Sequence, residues 1–179
     1  YTQQCVFLFH QTTEQQNAQL ERSGLEAALR QALVNEDFAM HYQPIVDHLH
    51  NIGMVEAFIY WQHPLLGHLK AQQFFALAQE CHLAAPISRK ALEKACQQFA
   101  WWRNSLPKHA QHIQLNLNVS GQHFAELDFI AHLQQTLQQN ALKAEDIILD
   151  LTEASIYHNP EKSTSLLLDL RQMGVQVMV

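Results

Sequence analysis

Glycine is scarce in this chain, five among 179 residues, and proline and cysteine are as sparse at five and three. No Gly-rich loop follows any apolar run, which weighs against a dinucleotide-binding Rossmann unit or a P-loop. Cys5, Cys81 and Cys96 are odd in number and lack metal-ligand spacing; Cys81 and Cys96 lie in apolar helical patterns. They are expected to be buried free thiols of a reducing compartment. Excess positive charge is missing too. Eleven Lys and Arg stand against seventeen Asp and Glu, a net charge of −6, so nothing points to a general nucleic-acid or acidic-membrane surface. No apolar run approaches transmembrane length and no signal-peptide pattern is present. A cytoplasmic domain is the expectation, with room for a membrane anchor elsewhere in a full-length protein. The twelve histidines contain no HExxH pattern, and His48/His50 and His109/His112 sit in polar stretches that read as surface. The chain opens on Tyr1 rather than Met, and is expected to be a piece of a longer protein.

What is present is a globular composition, 47% hydrophobic and 16% charged, sufficient for one sizeable core. Cys5 to Phe9 reads as a short strand and Gln11 to Gln19 as a polar linker. Leu25, Ala28, Leu29, Ala32 and Leu33 then recur at helical spacing. Phe38 to Val46 and Met54 to Trp61 are apolar strands separated by the turn-like His48 to Gly53, which predicts an antiparallel hairpin. Phe74, Leu77, Ala78 and Cys81 mark a helix. Pro86 is expected to separate it from another carrying Ile87, Ala91, Ala95 and Trp102. Strands follow over Ile113 to Ser120, Asp146 to Glu153 and Val175 to Val179, with helices between them and Gly174 as a cap. Strands alternating with helices predict a mostly parallel α/β sheet or barrel. With about five strands, the chain is expected to be the first part of a (β/α)8 barrel, which needs roughly 250 residues.

In such barrels, chemistry sits where strands end. Gln43, Glu56, Asn118, Asp150 and Glu153 occupy such positions, and each offers oxygen. Glu56 is the first residue to explain, because a carboxylate among apolar neighbours must be paired, hydrogen-bonded or bound to metal. An all-oxygen set suits Mg²⁺ or Mn²⁺ rather than zinc, and water activated by such cations attacks phosphodiesters. The bland alternatives are a buried ion pair for Glu56, a turn or cap role for Asn118 and Asp150, and a helix-N-terminal role for Glu153.

Tyr42-Gln43-Pro44-Ile45-Val46, Glu56-Ala57-Phe58, Trp61-Gln62-His63-Pro64, Asn118-Val119-Ser120 and Leu149-Asp150-Leu151-Thr152-Glu153 together resemble the EAL domain family, bacterial cyclic di-GMP phosphodiesterases and their inactive relatives. The resemblance covers residues 23 to 179. It implies a TIM-like barrel with an antiparallel first strand, and makes residues 1 to 22 the tail of an upstream domain, such as a GGDEF domain, plus a linker. It further implies that Glu56, Asn118 and Asp150 are metal ligands, that Glu153 holds an active-site loop, and that Gln43 lies close to the bound dinucleotide. Phe58 and Tyr60 fall at ligand-contacting positions. The implied cofactor is Mg²⁺ or Mn²⁺ and the implied ligand cyclic di-GMP, while a homodimer and another protein partner stay open.

Three positions depart from the family pattern. Phe58 replaces a Leu. Tyr60 replaces an Arg that contacts ligand phosphate, a change from a permanently charged fork to a single hydroxyl that costs about 1.5–3 kcal/mol of phosphate interaction. Asp150 stands for a Glu and is one methylene shorter; misplacement on that scale can reduce rate about a hundredfold. The favoured expectation is therefore a degenerate domain that binds cyclic di-GMP or a protein partner with weak or no hydrolysis. An active metal-dependent phosphodiesterase producing linear pGpG, and a nucleotide-independent scaffold, stay open beside it.

Overall fold

The computed structural model describes residues 22–105, 107, 110, 112–157 and 159–179. The strand expected over Cys5 to Phe9 and the linker after it lie outside the described residues. A first helix, α1 (22–35), ends where Glu36 takes a left-handed φ of 60°. Strands β1 (Phe38–Val46) and β2 (Ile52–His63) then form the expected antiparallel hairpin, with Gln43 opposite Glu56. Asp47 holds the turn: one carboxylate oxygen accepts from the Leu49 and Asn51 amides at 2.7 and 3.0 Å, which pulls that carboxyl below its usual range.

A short strand β3 (Gly67–Lys70) folds back on β2 and leads into α2 (Ala71–Glu80). The turn before it is organised by His63, whose Nδ1 accepts from the amides of Leu65 and Leu66 at 3.1 and 3.0 Å. Helix α3 (Ala84–Ser105) follows. Pro86 lies inside its first turn, not between the helices as expected from sequence, because a proline there removes no helical hydrogen bond. Then come β4 (Gln114–Asn118), α4 (Gly121–Phe124), α5 (Phe129–Gln139), a 3₁₀ turn at Ala144–Asp146, β5 (Ile147–Asp150), α6 (Glu153–Tyr157), α7 (Pro160–Met173) and β6 (Gln176–Met178). As expected, Gly174 closes α7, with a φ of 92° that only glycine adopts freely.

The sheet runs β1-β2-β4-β5-β6, antiparallel between β1 and β2 and parallel thereafter. The described residues thus hold six strands, not about five. The extra one exists because β2 outruns β4: its lower part pairs with β4 up to Ala57, and its upper part, from Tyr60 to His63, is free to pair with β3. β1 and β6 are the outer strands, so the barrel wall is open.

Helices cover one face of this wall. Ala57, Ile59 and Trp61 of β2, Leu115 and Leu117 of β4, and Ile147 and Leu149 of β5 all point into them and are buried. Around Trp61 and Phe74 the covering comes from α1, α2 and the start of α3; around Phe99, Phe124 and Leu149 it comes from the rest of α3, α4, α5 and α7. Cys96 lies in this second cluster, and burial pushes its thiol up to about 12, so it is an inert packing group. Cys81 was expected to be buried but is only half-buried, because it caps α2 rather than lying on its inner face. Near the foot of β5, Arg103 forms an ion pair with buried Asp146 at 2.5 Å, fixing α3 to the parallel strands.

Candidate functional site

The opposite face of the same strands carries the candidate chemistry. Side chains alternate along a strand, so burying Ala57, Ile59 and Trp61 turns Glu56, Phe58 and Tyr60 to the open side, where all three are half-buried. The pairing places His41 and Gln43 of β1 on that side, opposite Phe58 and Glu56. It also places Asn116 opposite Glu56, and Asp150 opposite Asn118.

Asn118 and Asp150 are the last residues of neighbouring parallel strands, the strand-end positions expected of them from sequence. Glu56 is different. It lies in the middle of β2, because that strand continues past β4 to pair with β3, and its register partner is Asn116, two residues below Asn118. The three donors are therefore not at equivalent strand ends. Glu56 bridges the offset with its longer side chain: Asn118 Nδ2 donates to Glu56 Oε1 at 2.9 Å. Among the described residues this amide, and no arginine, is the partner of the Glu56 carboxylate. The bond also orients Asn118, leaving its Oδ1 as an acceptor.

Asn116 was not singled out in the sequence. It is 3% exposed, and its Oδ1 has no hydrogen-bond partner among the described residues. A buried acceptor without a donor costs about 1–3 kcal/mol, and this one shares a face and a register position with Glu56. Two carboxylates and two amide oxygens, all hard donors, fit a divalent cation such as Mg²⁺ or Mn²⁺ in chemistry. Among the described residues no three of His, Cys, Asp and Glu gather in a metal-binding cluster, so amides have to contribute to any such set.

Glu153 sits elsewhere in character. It is exposed and opens α6, where a carboxylate suits the positive end of the helix. Thr152 starts that turn, accepting from the Ser155 amide at 3.3 Å. Gln43 is exposed on β1. Phe58, Asn118, Asp150 and Thr152 border a cavity of about 920 Å³ that extends among α2, α4 and α7 above the strand ends. Tyr60 is stacked on His41, with ring centroids 4.0 Å apart and planes 19° from parallel.

A model of the EAL domain family matches residues 26–179. The chain belongs to the EAL domain family. Among similar proteins, the cyclic di-GMP phosphodiesterase PdeR of Escherichia coli (strain K12) is 29% identical over 173 residues, covering 97% of this chain and 25% of that protein. The bifunctional diguanylate cyclase/cyclic di-GMP phosphodiesterase MucR of Pseudomonas aeruginosa is 30% identical over 175 residues, with the same coverages of 97% and 25%. The chain thus spans about a quarter of the length of these two relatives. Among solved structures, the PaMucR phosphodiesterase in complex with c-di-GMP aligns with a TM-score of 0.77 at 30% identity, covering 84% of this chain and 60% of that one. The EAL enzyme Bd1971, in its cAMP- and cyclic-di-GMP-bound form, aligns with a TM-score of 0.83 at 22% identity, covering 94% and 46%, and speaks for the fold alone. The antiparallel first strand and TIM-like architecture expected from the resemblance are those of this EAL domain. No helix among its described residues is long and apolar enough to cross a membrane.

The open face also holds a group that the sequence reading missed. His68 and Lys70 of β3 lie opposite Gln62 and Tyr60, and the His41 ring meets that of His68 edge-on, with centroids 6.5 Å apart. Neither residue stands out without β3, and β3 is a four-residue strand with no apolar alternation of its own. Also missed was His123, fully buried under Ser88 and beside His132, with burial and then the His132 charge driving it down to about 3. It is a neutral core histidine.

Proposed function

We propose that this EAL domain binds cyclic di-GMP on the open face of the sheet and hydrolyses it weakly or not at all. The observation that carries the reading is the contact between Asn118 and Glu56 at 2.9 Å, in register with Asp150 on the next strand. It gathers oxygen donors from three strands on the one face that the helices leave uncovered. A divalent cation bound there would supply charge neutralisation at the phosphate and a more acidic water. Glu56, Asn118 and Asp150 would hold it, while Gln43, Phe58 and Tyr60 would line the dinucleotide.

Two features support weak turnover. Asp150 ends β5 directly opposite Asn118 and is a methylene shorter than the glutamate of the family pattern, a shortening that would leave its oxygens farther from a cation held by the Asn118–Glu56 pair. Tyr60 is engaged in a ring stack and offers a neutral hydroxyl in place of a guanidinium. The second reading, hydrolysis to linear pGpG, is supported by the retained Glu56–Asn118 pair and by relatives named as phosphodiesterases.

The deciding experiment mixes the whole protein with cyclic di-GMP in Mg²⁺ or Mn²⁺ and, separately, in Ca²⁺, following binding and pGpG together. Binding with little or no product is the expected result. Metal-dependent product that disappears in Glu56→Ala would replace this reading with the enzyme. Absence of both would leave a protein-interaction scaffold.

A further inference from the structure

The open face is divided by charge. Its acidic and amide donors, Glu56, Asn118 and Asp150, gather on the β4 and β5 side of β2. At the upper end of β2, four residues beyond Glu56 and so about 13 Å along the strand, the side chains are basic. Lys70 is the direct cross-strand partner of Tyr60 on one side of that ring, and His41 stacks on the ring from β1 on the other, at 4.0 Å. His68 completes the group edge-on to His41. All of these except the half-buried Tyr60 are exposed, and among the described residues no carboxylate pairs with Lys70. In a chain with only eleven Lys and Arg and a net charge of −6, two imidazoles and a lysine on strand positions next to Tyr60 are a local exception.

We propose that Lys70, with His41 and His68, forms an anion-holding subsite that takes a phosphodiester phosphate and supplies the charge Tyr60 lacks. The proposal rests on cyclic di-GMP being the ligand of this face. Lys70 provides an ammonium from β3, and the imidazoles provide N–H donors from either side. The Tyr60 ring acts as a positioning surface: its stack fixes the His41 plane. The subsite exists only because β2 is long enough to carry β3 above the end of β4. One phosphate would be held there, while the acidic and amide donors face the remainder of the ligand.

The test is a cyclic di-GMP titration of the whole protein in Ca²⁺, comparing wild type with Lys70→Glu, Lys70→Arg and His41→Phe. Lys70 and His41 are exposed, and circular dichroism verifies that each variant is folded. Lys70→Glu is expected to weaken binding more than about tenfold, the scale of a lost charge-assisted hydrogen bond, while Lys70→Arg stays within about threefold because the charge is kept. His41→Phe preserves a ring stack but removes the N–H, and is expected to weaken binding about threefold to tenfold. Wild-type binding that Lys70→Glu leaves unchanged overturns the subsite and leaves the cyclic di-GMP reading intact. Absence of wild-type binding overturns both.

Discussion

The two faces of one sheet obey opposite rules. On the helix side of β2, Ala57, Ile59 and Trp61 are buried at 4, 8 and 1% exposure, and their neighbours on β4 and β5 are as deeply covered. On the other side, the residues between them, Glu56, Phe58 and Tyr60, are half-buried and polar or aromatic. Strand alternation puts a packed surface and the candidate ligand surface one residue apart. The packed face sets the positions of the backbone, so the open face can hold a carboxylate, an amide and a stacked imidazole that contribute little to folding. Packing and the candidate site thereby fall to different residues of the same strands.

The largest expected break in this division is Trp61→Ala. Its side chain is fully enclosed by Phe74 and its neighbours, and truncation is expected to cost about 3–5 kcal/mol in urea unfolding. Phe58→Ala, three residues earlier on the open face, is expected to cost well under half of that. Equal costs would show the two faces to be energetically alike.

Next in size is the acid response of the helix side. His123 is held neutral well below its ordinary value by burial first, then by the nearby charges of His132 and Arg89, with Asp128 opposing. The unfolded chain takes up a proton near pH 6.5 and the folded chain does not until about pH 3. Its contribution is therefore complete above about pH 6.5 and is lost as pH falls from there towards 3, by roughly 1.4 kcal/mol per unit. Unfolding midpoints between pH 7 and 4.5 measure this, and His123→Gln is expected to flatten the slope.

On the open face, Asp150→Glu sharpens the comparison through function alone. It is expected to raise metal-dependent pGpG formation by up to about a hundredfold, with little change in thermal midpoint, because Asp150 is not part of the packed side. The smallest effect belongs to Asn118→Ala. Removing its 2.9 Å bond to Glu56 is expected to change unfolding free energy by about 0.5–1.5 kcal/mol while cutting cyclic di-GMP binding in Mn²⁺ severalfold.

Much of this molecule was legible in local pattern. The hairpin followed from two apolar runs around His48 to Gly53, and the parallel strands from alternation with helices. Gly174 was recognisable as a cap because its position and chemistry are local. The misses also have physical causes. β3 is too short to show alternation, and it pairs only because β2 extends beyond β4. The reading of Asp146 to Glu153 as one strand ran too far at both ends, since a 3₁₀ turn precedes Ile147 and α6 begins at Glu153. Glu56, Asn118 and Asp150 could be picked out as oxygen donors at or near strand ends. Their offset could not, since it depends on how far each strand slides along its neighbour.

The sequence by itself determined the α/β alternation, the family, and the lack of zinc-ligand spacing or a Gly-rich loop. Those are consequences of residue type and of periods of two and 3.6 along the chain. Only the tertiary structure decided that Asn118 reaches Glu56 rather than its own register partner, that Asn116 is buried with an oxygen unpaired among the described residues, and that His41 stacks on Tyr60 with His68 edge-on to His41 and Lys70 opposite Tyr60 on β3. These contacts join residues far apart in sequence, and strand register, set by packing on the opposite face, is what brings them together.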